Sequence, residues 1–365
     1  MKILALMQHR PDRSPGQRFR FEHYMEYLQE QGWEICFSNL LNEKDDKYFY
    51  SKANYFRKAF IALKSLFVRW KDLRRAKNFD IVFVYREAYM LGTTYFERKI
   101  AKKGIPLVFD FDDSIWLNDT SEGNKNLAWL KKPEKTAEIC KVATMVMVGN
   151  EYLANYARQF SKNVVVVPTT IDTNYHKKEN IAKQSETICI GWTGTTTTMK
   201  HFELIMPVFV KLKERFGDKI SYRVITNRIV EGYPVDVEML IWNKNREIED
   251  LQYFDIGIMP LPDDEWSKGK CGFKGLQCMA LSMPVVMSPV GVNVDIVEDG
   301  KNGYLAETEE EWLEKLSILI ESENLRIEIG KKARKSIEEE YSVEVWKIRF
   351  DELLKTLLSK NRNEK

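Results

Sequence analysis

The sequence predicts an α/β protein made of two successive domains, each with a parallel β-sheet covered by helices. Short apolar segments such as KILALM (2–7) and FDIVFVY (79–85) alternate with segments of helical periodicity, and this alternation is typical of parallel sheets. The same alternation starts again at TICIGW (187–192), after a polar stretch. At 365 residues the chain is long enough for two cores of ordinary size.

The domain boundaries follow from this change in composition. We predict a first domain over residues 1–172, a polar linker over 173–186 and a second domain over 187–340. A last helix is expected over 341–365, where the aromatic residues Tyr341, Trp346 and Phe350 follow helical spacing.

Composition narrows the function classes. A formal net charge of +2 and an isoelectric point near 8.1 argue against a nucleic-acid-binding protein. Five scattered cysteines without a CxxC pair indicate neither a disulfide framework nor a zinc site. The sequence has no GxGxxG motif, so we expect no nicotinamide cofactor. It shows neither a charged leader nor an apolar run near the ~20 residues of a spanning helix, so we expect a cytoplasmic protein.

Two glycine-containing loops of the second half are suited to binding a phosphate. The first runs through Lys270 and Gly272 into a helix that should begin near Phe273, and the N-terminus of a helix attracts anions. The second follows TICIGW and offers backbone N–H groups and hydroxyls before a helix. Its candidate ligand residues are Gly194, Thr195, Thr196, Thr197 and Lys200.

The first half places charged residues at strand ends, where ligands of open α/β sheets bind. The loop after KILALM carries Arg10, Arg13, Arg18 and Arg20 around Gly16; these arginines either grip an anion or are solvated charges on a turn. The strand FDIVFVY ends in Arg86 and Glu87, which either face a ligand or pair with each other.

The strand PLVFDF has the most acidic end of any predicted strand, with Asp110, Asp112 and Asp113. Such carboxylates indicate metal binding or acid/base chemistry. As a DxD motif they would bind a divalent ion, as in enzymes of the GT-A fold, but the strand and helix alternation on both sides favours a different architecture.

Three segments together resemble family-4-type glycosyltransferases (glycosyl transferases group 1), of the class that builds bacterial cell-surface polysaccharides. They are IGWTGTTTT (190–198), FDIGIMP (254–260) and GKCGFKGLQCMALSMPVVMSPVGVN (269–293). The resemblance implies the GT-B fold, in which two Rossmann-like domains face each other across a cleft and the C-terminal helix returns to the first domain.

The resemblance also implies roles for particular residues. Lys274 matches the lysine that meets the donor diphosphate, and Gln277 stands where the family has a glutamate on the ribose. Gly269 stands where a second glutamate is usual, and Lys200 matches a lysine after the threonine turn, whose arginine is missing. Lys270 is placed with this donor group.

In the first domain, Asp113 matches the family's aspartate facing the sugar, and Asp112 stands in place of its histidine. We expect these two carboxylates to be catalytic. The acceptor side is expected at Gly16, Arg18, Arg86 and Glu87, and no metal is expected to hold the diphosphate.

The sequence therefore predicts a metal-independent, retaining glycosyltransferase that moves a sugar from a nucleotide-diphosphate sugar to a glycan or lipid-linked acceptor. Because both family carboxylates are absent, two alternatives stay open: a non-catalytic subunit that binds a nucleotide sugar, and a GT-B-like epimerase.

The segment 52–77 is a basic helix with a stripe of apolar residues, Phe56, Phe60, Leu63, Phe67 and Trp70. Seven of its residues between 57 and 75 are Lys or Arg, and Asp72 is the one acid among them. This composition favours contact with an anionic membrane surface, peripherally on its inner face. The alternative is an amphipathic helix that packs its stripe on its own sheet.

Overall fold

The computed structural model describes residues 1–117, 122–178 and 187–363. The chain forms two compact units: Met1–Thr169 together with Trp346–Lys365, and Thr170–Val345. The part of the predicted linker from residue 179 to residue 186 lies outside the described residues.

The first unit contains a six-stranded sheet in the order β2-β1-β3-β4-β5-β6, and each neighbouring pair is parallel. The strands are β1 Lys2–Met7, β2 Glu34–Asn39, β3 Ile81–Tyr85, β4 Leu107–Phe111, β5 Met145–Val148 and β6 Val164–Val166. The three central strands β1, β3 and β4 are almost wholly apolar, as expected for strands buried on both faces.

The helices of the first unit connect these parallel strands. They are α1 Pro15–Arg20, α2 Met25–Glu30, α3 Glu43–Phe49, α4 Tyr55–Arg75, α5 Tyr95–Lys102, α6 Lys135–Val142 and α7 Glu151–Arg158. A 3-10 helix, Glu122–Leu130, precedes α6. Asn150 caps α7: its side chain accepts a hydrogen bond from the N–H of Leu153.

The second unit contains another six-stranded parallel sheet, in the order β12-β11-β10-β7-β8-β9. Its strands are β7 Ile188–Thr193, β8 Ile220–Thr226, β9 Val237–Ile241, β10 Ile256–Met259, β11 Val285–Met287 and β12 Tyr304–Leu305. The α/β architecture of two parallel sheets predicted from the sequence is therefore confirmed.

Helices cover both faces of this second sheet, because successive strand residues pack into two separate apolar clusters. Ile258 and Val286 lie in one cluster, whereas their neighbours Met259 and Met287 lie in the other. The helices of the second unit are α8 Met199–Glu203, α9 Met206–Phe216, α10 Glu247–Gln252, α11 Glu265–Lys268, α12 Phe273–Ala280, α13 Asn293–Ile296, α14 Glu309–Glu321 and α15 Glu323–Ser336. The last helix of the chain is α16 Val343–Asn363.

From Trp346 onward, α16 belongs to the first unit and packs on its core. The ring of Phe350 is stacked on Tyr24 with centroids 4.5 Å apart and lies 6.2 Å from Phe83. The indole N–H of Trp33 donates to Asp351 at 2.7 Å. The C-terminal helix thus covers apolar surface that β3 and the first helices would otherwise expose.

Each sheet has one place where successive connections leave in opposite directions. In the first sheet this switch lies between β1 and β3, and in the second it lies between β7 and β10. Open α/β sheets bind ligands beyond the carboxyl ends of the strands at such a point. The topology therefore directs attention to residues that follow β1 and β3, and to residues that follow β7 and β10.

The helix α4 buries a different side from the one that its apolar stripe suggests. The side facing the sheet carries Ile61, Ser65, Arg69 and Asp72, all buried. The stripe faces solvent: Phe56, Phe60, Leu63 and Phe67 are 57–95% exposed, and Trp70 is 38% exposed. Packing of this stripe on the sheet, one of the two interpretations left open by the sequence, is therefore wrong.

Arg69 is an exception to the basic surface of α4. It is fully buried, pairs with Asp72 at 2.8 Å and donates to the carbonyl of Met7 at 2.7 Å. Its charge holds the helix on the sheet. Across the described ranges, no helix combines the length and hydropathy that crossing a bilayer requires.

Candidate functional site

In the second unit, three of the predicted donor lysines lie together beyond the carboxyl ends of β7 and β10. Lys200 is in the first turn of α8, Lys270 lies between α11 and α12, and Lys274 is the second residue of α12. All three influence His201: burial, and then the charges of Lys274, Lys200 and Lys270, lower the pKa of His201 to about 4. The histidine is therefore neutral at physiological pH, and the surrounding potential is positive.

Lys274 is held at the centre of this group without an acidic partner among the described residues. Its ammonium lies 4.6 Å from the centre of the Trp192 ring, and its one hydrogen bond, to the hydroxyl of Thr198, is long at 3.5 Å. Burial and the charge of Lys270 lower the pKa of Lys274 to about 7. A buried lysine without an acidic partner gains more interaction free energy from a bound anion than a solvated lysine does.

The threonine turn is a closed hydrogen-bonded loop between β7 and α8. The N–H and hydroxyl of Thr196 both bind the side chain of Asn227, at 2.7 and 2.9 Å, while the exposed hydroxyls of Thr195 and Thr197 lie 2.8 Å apart. Thr195 and Thr198 form a capping box. The exposed hydroxyls and the lysines beside them can bind phosphate oxygens.

Gly194 is required by close packing at the start of this turn. A Cβ atom there would lie 2.2 Å from the indole ring of Trp192 and 2.8 Å from the hydroxyl of Thr198. Trp192 is almost wholly buried, and its indole N–H has no acceptor among the described residues. The glycine therefore lets the turn close over the indole on which Lys274 lies.

Gln277, one helical turn beyond Lys274, has a carboxylate partner that the sequence did not predict. It is buried, and its amide donates to the carboxylate of Glu247 at 3.2 Å and lies 3.4 Å from His176. Glu247 also accepts from the indole of Trp242 at 3.1 Å and from the hydroxyl of Tyr175 at 3.3 Å. A carboxylate is thus present beside Gln277, but it comes from the start of α10.

In the first unit, Asp112 and Asp113 are both bound by one guanidinium. Arg86 donates to Asp112 at 2.7 Å and to Asp113 at 2.7 Å, and the hydroxyl of Tyr85 donates to Asp112 at 2.8 Å. Burial alone would raise the pKa of Asp112, but the guanidiniums of Arg86 and Arg20 outweigh it and lower the pKa. Asp112 is therefore a carboxylate at neutral pH, not a general acid.

This cluster depends on two backbone features. Arg86 has a φ of 61°, in the left-handed region that non-glycine residues seldom occupy, and such strain is common at functional sites. A Cβ on Gly16 would lie 1.9 Å from the hydroxyl of Tyr85 and 2.9 Å from Asp112. The structure therefore brings the predicted residues Gly16, Arg86, Asp112 and Asp113 together.

The two other predicted acceptor-side residues lie differently. Glu87 does not pair with Arg86 but forms an ion pair with Lys135, and the guanidinium of Arg18 lies 4.4 Å from the Phe19 ring, against its own helix. Their place on the acceptor side stays a prediction.

The remaining charged residues of these loops have structural partners. Arg20 forms a fully buried ion pair with Asp110, so the DxD interpretation loses the carboxylate that would begin the motif. Arg10 and Arg13 both bind Asp46, in α3. The interpretation of these three arginines as anion ligands is not supported by their contacts.

Sequence reasoning missed His9, Tyr50 and Tyr85 in the first unit, and Trp192, Thr198 and Glu247 in the second. His9 follows β1, hydrogen-bonds with the hydroxyl of Tyr50 at 3.0 Å and has its pKa lowered to about 4, chiefly by burial. Its position immediately beyond the first strand was an available signal. Tyr50 and Glu247 gave none, because tertiary packing alone brings them to these sites.

Comparison with known proteins is consistent with this geometry. Residues 237–336 match the family model described as glycosyl transferases group 1. Spore coat protein SA of Bacillus subtilis (strain 168) is 32% identical over 89 residues, which are 24% of this chain and 22% of that protein. The aligned part thus spans less than a quarter of that relative.

Solved structures resemble the chain over almost its whole length. HepE of Anabaena, in complex with UDP and glucose, has a TM-score of 0.68 at 14% identity, covering 98% of this chain and all of that one. Sucrose-phosphate synthase of Thermosynechococcus elongatus has a TM-score of 0.69 at 12% identity, covering 99% of this chain and all of that one. These likenesses confirm the predicted GT-B fold. The match to the family that the sequence resembles, glycosyl transferases group 1, covers residues 237–336.

Proposed function

We propose that this chain, which belongs over residues 237–336 to the group 1 glycosyl transferases, moves a sugar from a nucleotide-diphosphate sugar to a glycan or lipid-linked acceptor. The observation that supports the proposal most strongly is the group of Lys200, Lys270 and Lys274 around the threonine turn. Departure of a nucleoside diphosphate needs positive charge on the pyrophosphate, and this group supplies it.

The donor is proposed to bind in the second unit. Lys274 and the Thr195 to Thr197 turn contact the diphosphate, with Lys200 and Lys270 adding long-range attraction. Gln277 and Glu247 together replace the missing family carboxylate and offer an acceptor to a ribose hydroxyl. The Anabaena neighbour was crystallised with UDP and with glucose, and UDP is accordingly the first nucleotide to test.

Asp112 and Asp113 are proposed to supply negative potential to the oxocarbenium-like sugar of the transition state. The carboxylate state of Asp112 suits this electrostatic role. The reaction is proposed to retain the anomeric configuration and to need no metal on the diphosphate. Similarity to the spore coat protein supports an acceptor in cell-surface polysaccharide synthesis.

Transfer of radiolabel from a panel of nucleotide sugars to glycan and lipid-linked acceptors tests this proposal. We expect transfer from at least one donor, its abolition in Asp113→Asn, and no loss in EDTA. A protein that binds UDP but neither transfers nor epimerises any sugar would be the non-catalytic subunit considered above. Activity that EDTA abolishes and manganese restores would contradict the metal-free assignment.

The protein is further proposed to lie peripherally on an anionic membrane surface through α4. Its outward stripe is mostly exposed, and the exposed basic residues Lys52, Arg57, Lys71, Arg74 and Lys77 accompany it. A helix with such a stripe and basic flanks lies in the plane of the interface. Replacement of Phe60 and Phe67 by serine should abolish sedimentation with anionic vesicles while UDP affinity, measured by calorimetry, stays unchanged.

A further inference from the structure

The first unit has a basic cavity that none of the assigned roles uses. It has a volume of about 440 Å³ and lies between the start of α5 and the segment that leads into α6. Its basic lining residues are Arg98, Lys99, Lys102, Lys132 and Lys135, against two acidic ones, Glu134 and Glu138. The cavity therefore has an excess of positive charge.

Two of the five basic residues are already neutralised. Arg98 pairs with Glu138, whose carboxylate also accepts from the hydroxyl of Thr94 at 2.9 Å. Lys135 is buried, pairs with Glu87 and donates to the carbonyls of residues 89 and 91 at 3.0 and 2.9 Å. These two residues build the wall of the cavity.

The other three, Lys99, Lys102 and Lys132, are exposed, and none has a carboxylate partner within the described parts of the chain. Lys99 lies over the ring of Tyr95 at 5.5 Å. Three lysines around one cavity favour a ligand with more than one negative charge.

Exposed aromatic residues next to the cavity indicate which kind of anion it would bind. Tyr95, which lines it, lies 5.4 Å from Trp70, the last residue of the exposed stripe on α4. From Phe56 to Trp70 this stripe extends about 21 Å at the rise of an α-helix. Another exposed aromatic residue, Trp129, precedes Lys132 in the segment on the other side of the cavity. Apolar surface thus lies next to the basic cavity. This arrangement suits an amphiphilic ligand, whose apolar tail would contact the aromatic residues and whose phosphate would enter the cavity.

We propose that this cavity binds the phosphate of an anionic lipid in the membrane on which α4 lies. The inference rests on the membrane contact in the proposed function and adds a headgroup preference to it. A phosphomonoester carries a charge of about −1.5 to −2 at neutral pH. A phosphodiester carries a single charge, so three lysines should prefer the monoester.

Sedimentation with two kinds of phosphatidylcholine vesicles tests this inference. One kind contains phosphatidic acid, a monoester, and the other contains phosphatidylglycerol, a diester, at matched surface charge. We expect the wild-type protein to bind the phosphatidic acid vesicles more tightly. The variant Lys99→Gln/Lys102→Gln/Lys132→Gln should lose this preference, with roughly a fivefold loss of affinity for each lysine.

The matched control is Lys71→Gln/Arg74→Gln/Lys77→Gln, which removes three exposed basic residues of the α4 region outside the cavity. It should weaken binding to both kinds of vesicle equally and keep the preference. Unchanged UDP affinity in both variants verifies that they fold, because the donor is assigned to the second unit.

Each other outcome overturns a specific step. Equal binding of the wild-type protein to both kinds of vesicle would refute the role of the cavity and leave the membrane contact of α4 in place. If the wild-type protein does not sediment with either kind of vesicle at low salt, both the role of the cavity and the membrane contact of α4 are refuted. Saturation of the cavity by inorganic phosphate alone, at the affinity found for phosphatidic acid, would reassign it to a soluble anion.

Discussion

The state of Lys274 makes donor binding depend on pH. Its pKa is lowered to about 7 by burial and by Lys270. A diphosphate beside the ammonium favours its charged form, so binding should draw a proton onto the lysine as the pH rises above 7. The UDP phosphates, whose last pKa is near 6, are already ionised in this range.

The magnitude follows from the fraction of charged lysine in the free protein. With a pKa of about 7, roughly half of the Lys274 side chains are charged at pH 7 and roughly one in a hundred at pH 9. If the charged form of Lys274 adds about 1.5–3 kcal/mol to binding, UDP affinity should fall about sixfold to thirtyfold from pH 7 to pH 9, and about 0.5–0.9 proton should be taken up on binding at pH 8. Calorimetry in two buffers of different ionisation enthalpy measures both quantities.

The variant Lys274→Arg provides the control, because a guanidinium stays charged throughout this range. Its affinity for UDP should be nearly independent of pH between 7 and 9. The variant Lys274→Ala removes a charge-assisted contact worth about 1.5–3 kcal/mol. Because about half of the wild-type lysine is charged at pH 7, the variant should bind UDP about sixfold to eightyfold more weakly at that pH. Equal pH dependence of wild type and Lys274→Arg, or no proton uptake by the wild type, would refute the reasoning.

Three further results are expected from the structure. Gly194→Ala should weaken UDP binding at least tenfold by calorimetry, because its Cβ would collide with the indole below the turn. Arg20→Met should lower the free energy of unfolding in urea by about 3–5 kcal/mol, because it leaves Asp110 buried without its ion-pair partner; adding Asp110→Leu should recover much of this loss. Gln277→Glu should lose both stability and UDP affinity, and adding Glu247→Gln should restore them.

Much of the fold was readable because the local signals agree with the tertiary structure. The apolar segments KILALM, FDIVFVY, PLVFDF and TICIGW each form a strand, since strands buried on both faces are largely apolar. The two-residue strand β12 was missed, because two residues have no periodicity. In α4 the helical spacing was readable, but the sequence left two directions open for the apolar stripe. Arg69 and Asp72 hold the buried side, and the apolar side faces outward.

The candidate site was readable only in part, for a related reason. Lys274 and the threonine turn lie next to elements with strong local signals, and the topology brings them together. The partners of Asp110 and Asp112 depend on ion pairs across many residues, which a single sequence does not reveal. Arg20 takes the carboxylate of Asp110 out of any metal site, and Arg86 fixes the state of Asp112.

The pair formed by Glu247 and Gln277 shows how the absence of a carboxylate at one position can be misleading. With glutamate at both positions, two buried carboxylates would lie about as close as the present 3.2 Å contact, and the amide donor would be lost. One of them would have to bind a proton, so Gln277→Glu alone should be harmful. The double exchange again gives one carboxylate and one amide, with their positions reversed.

A double-mutant cycle on UDP affinity and on unfolding free energy measures this coupling, which should reach about 0.5–3 kcal/mol for residues in contact. Gln29→Glu, at an exposed position of α2, is the control for adding one negative charge and should change neither quantity. If the two single substitutions add without coupling, the amide and the carboxylate act separately. Gln277 would then have lost the family's carboxylate without a substitute, and the non-catalytic alternative would regain its main support.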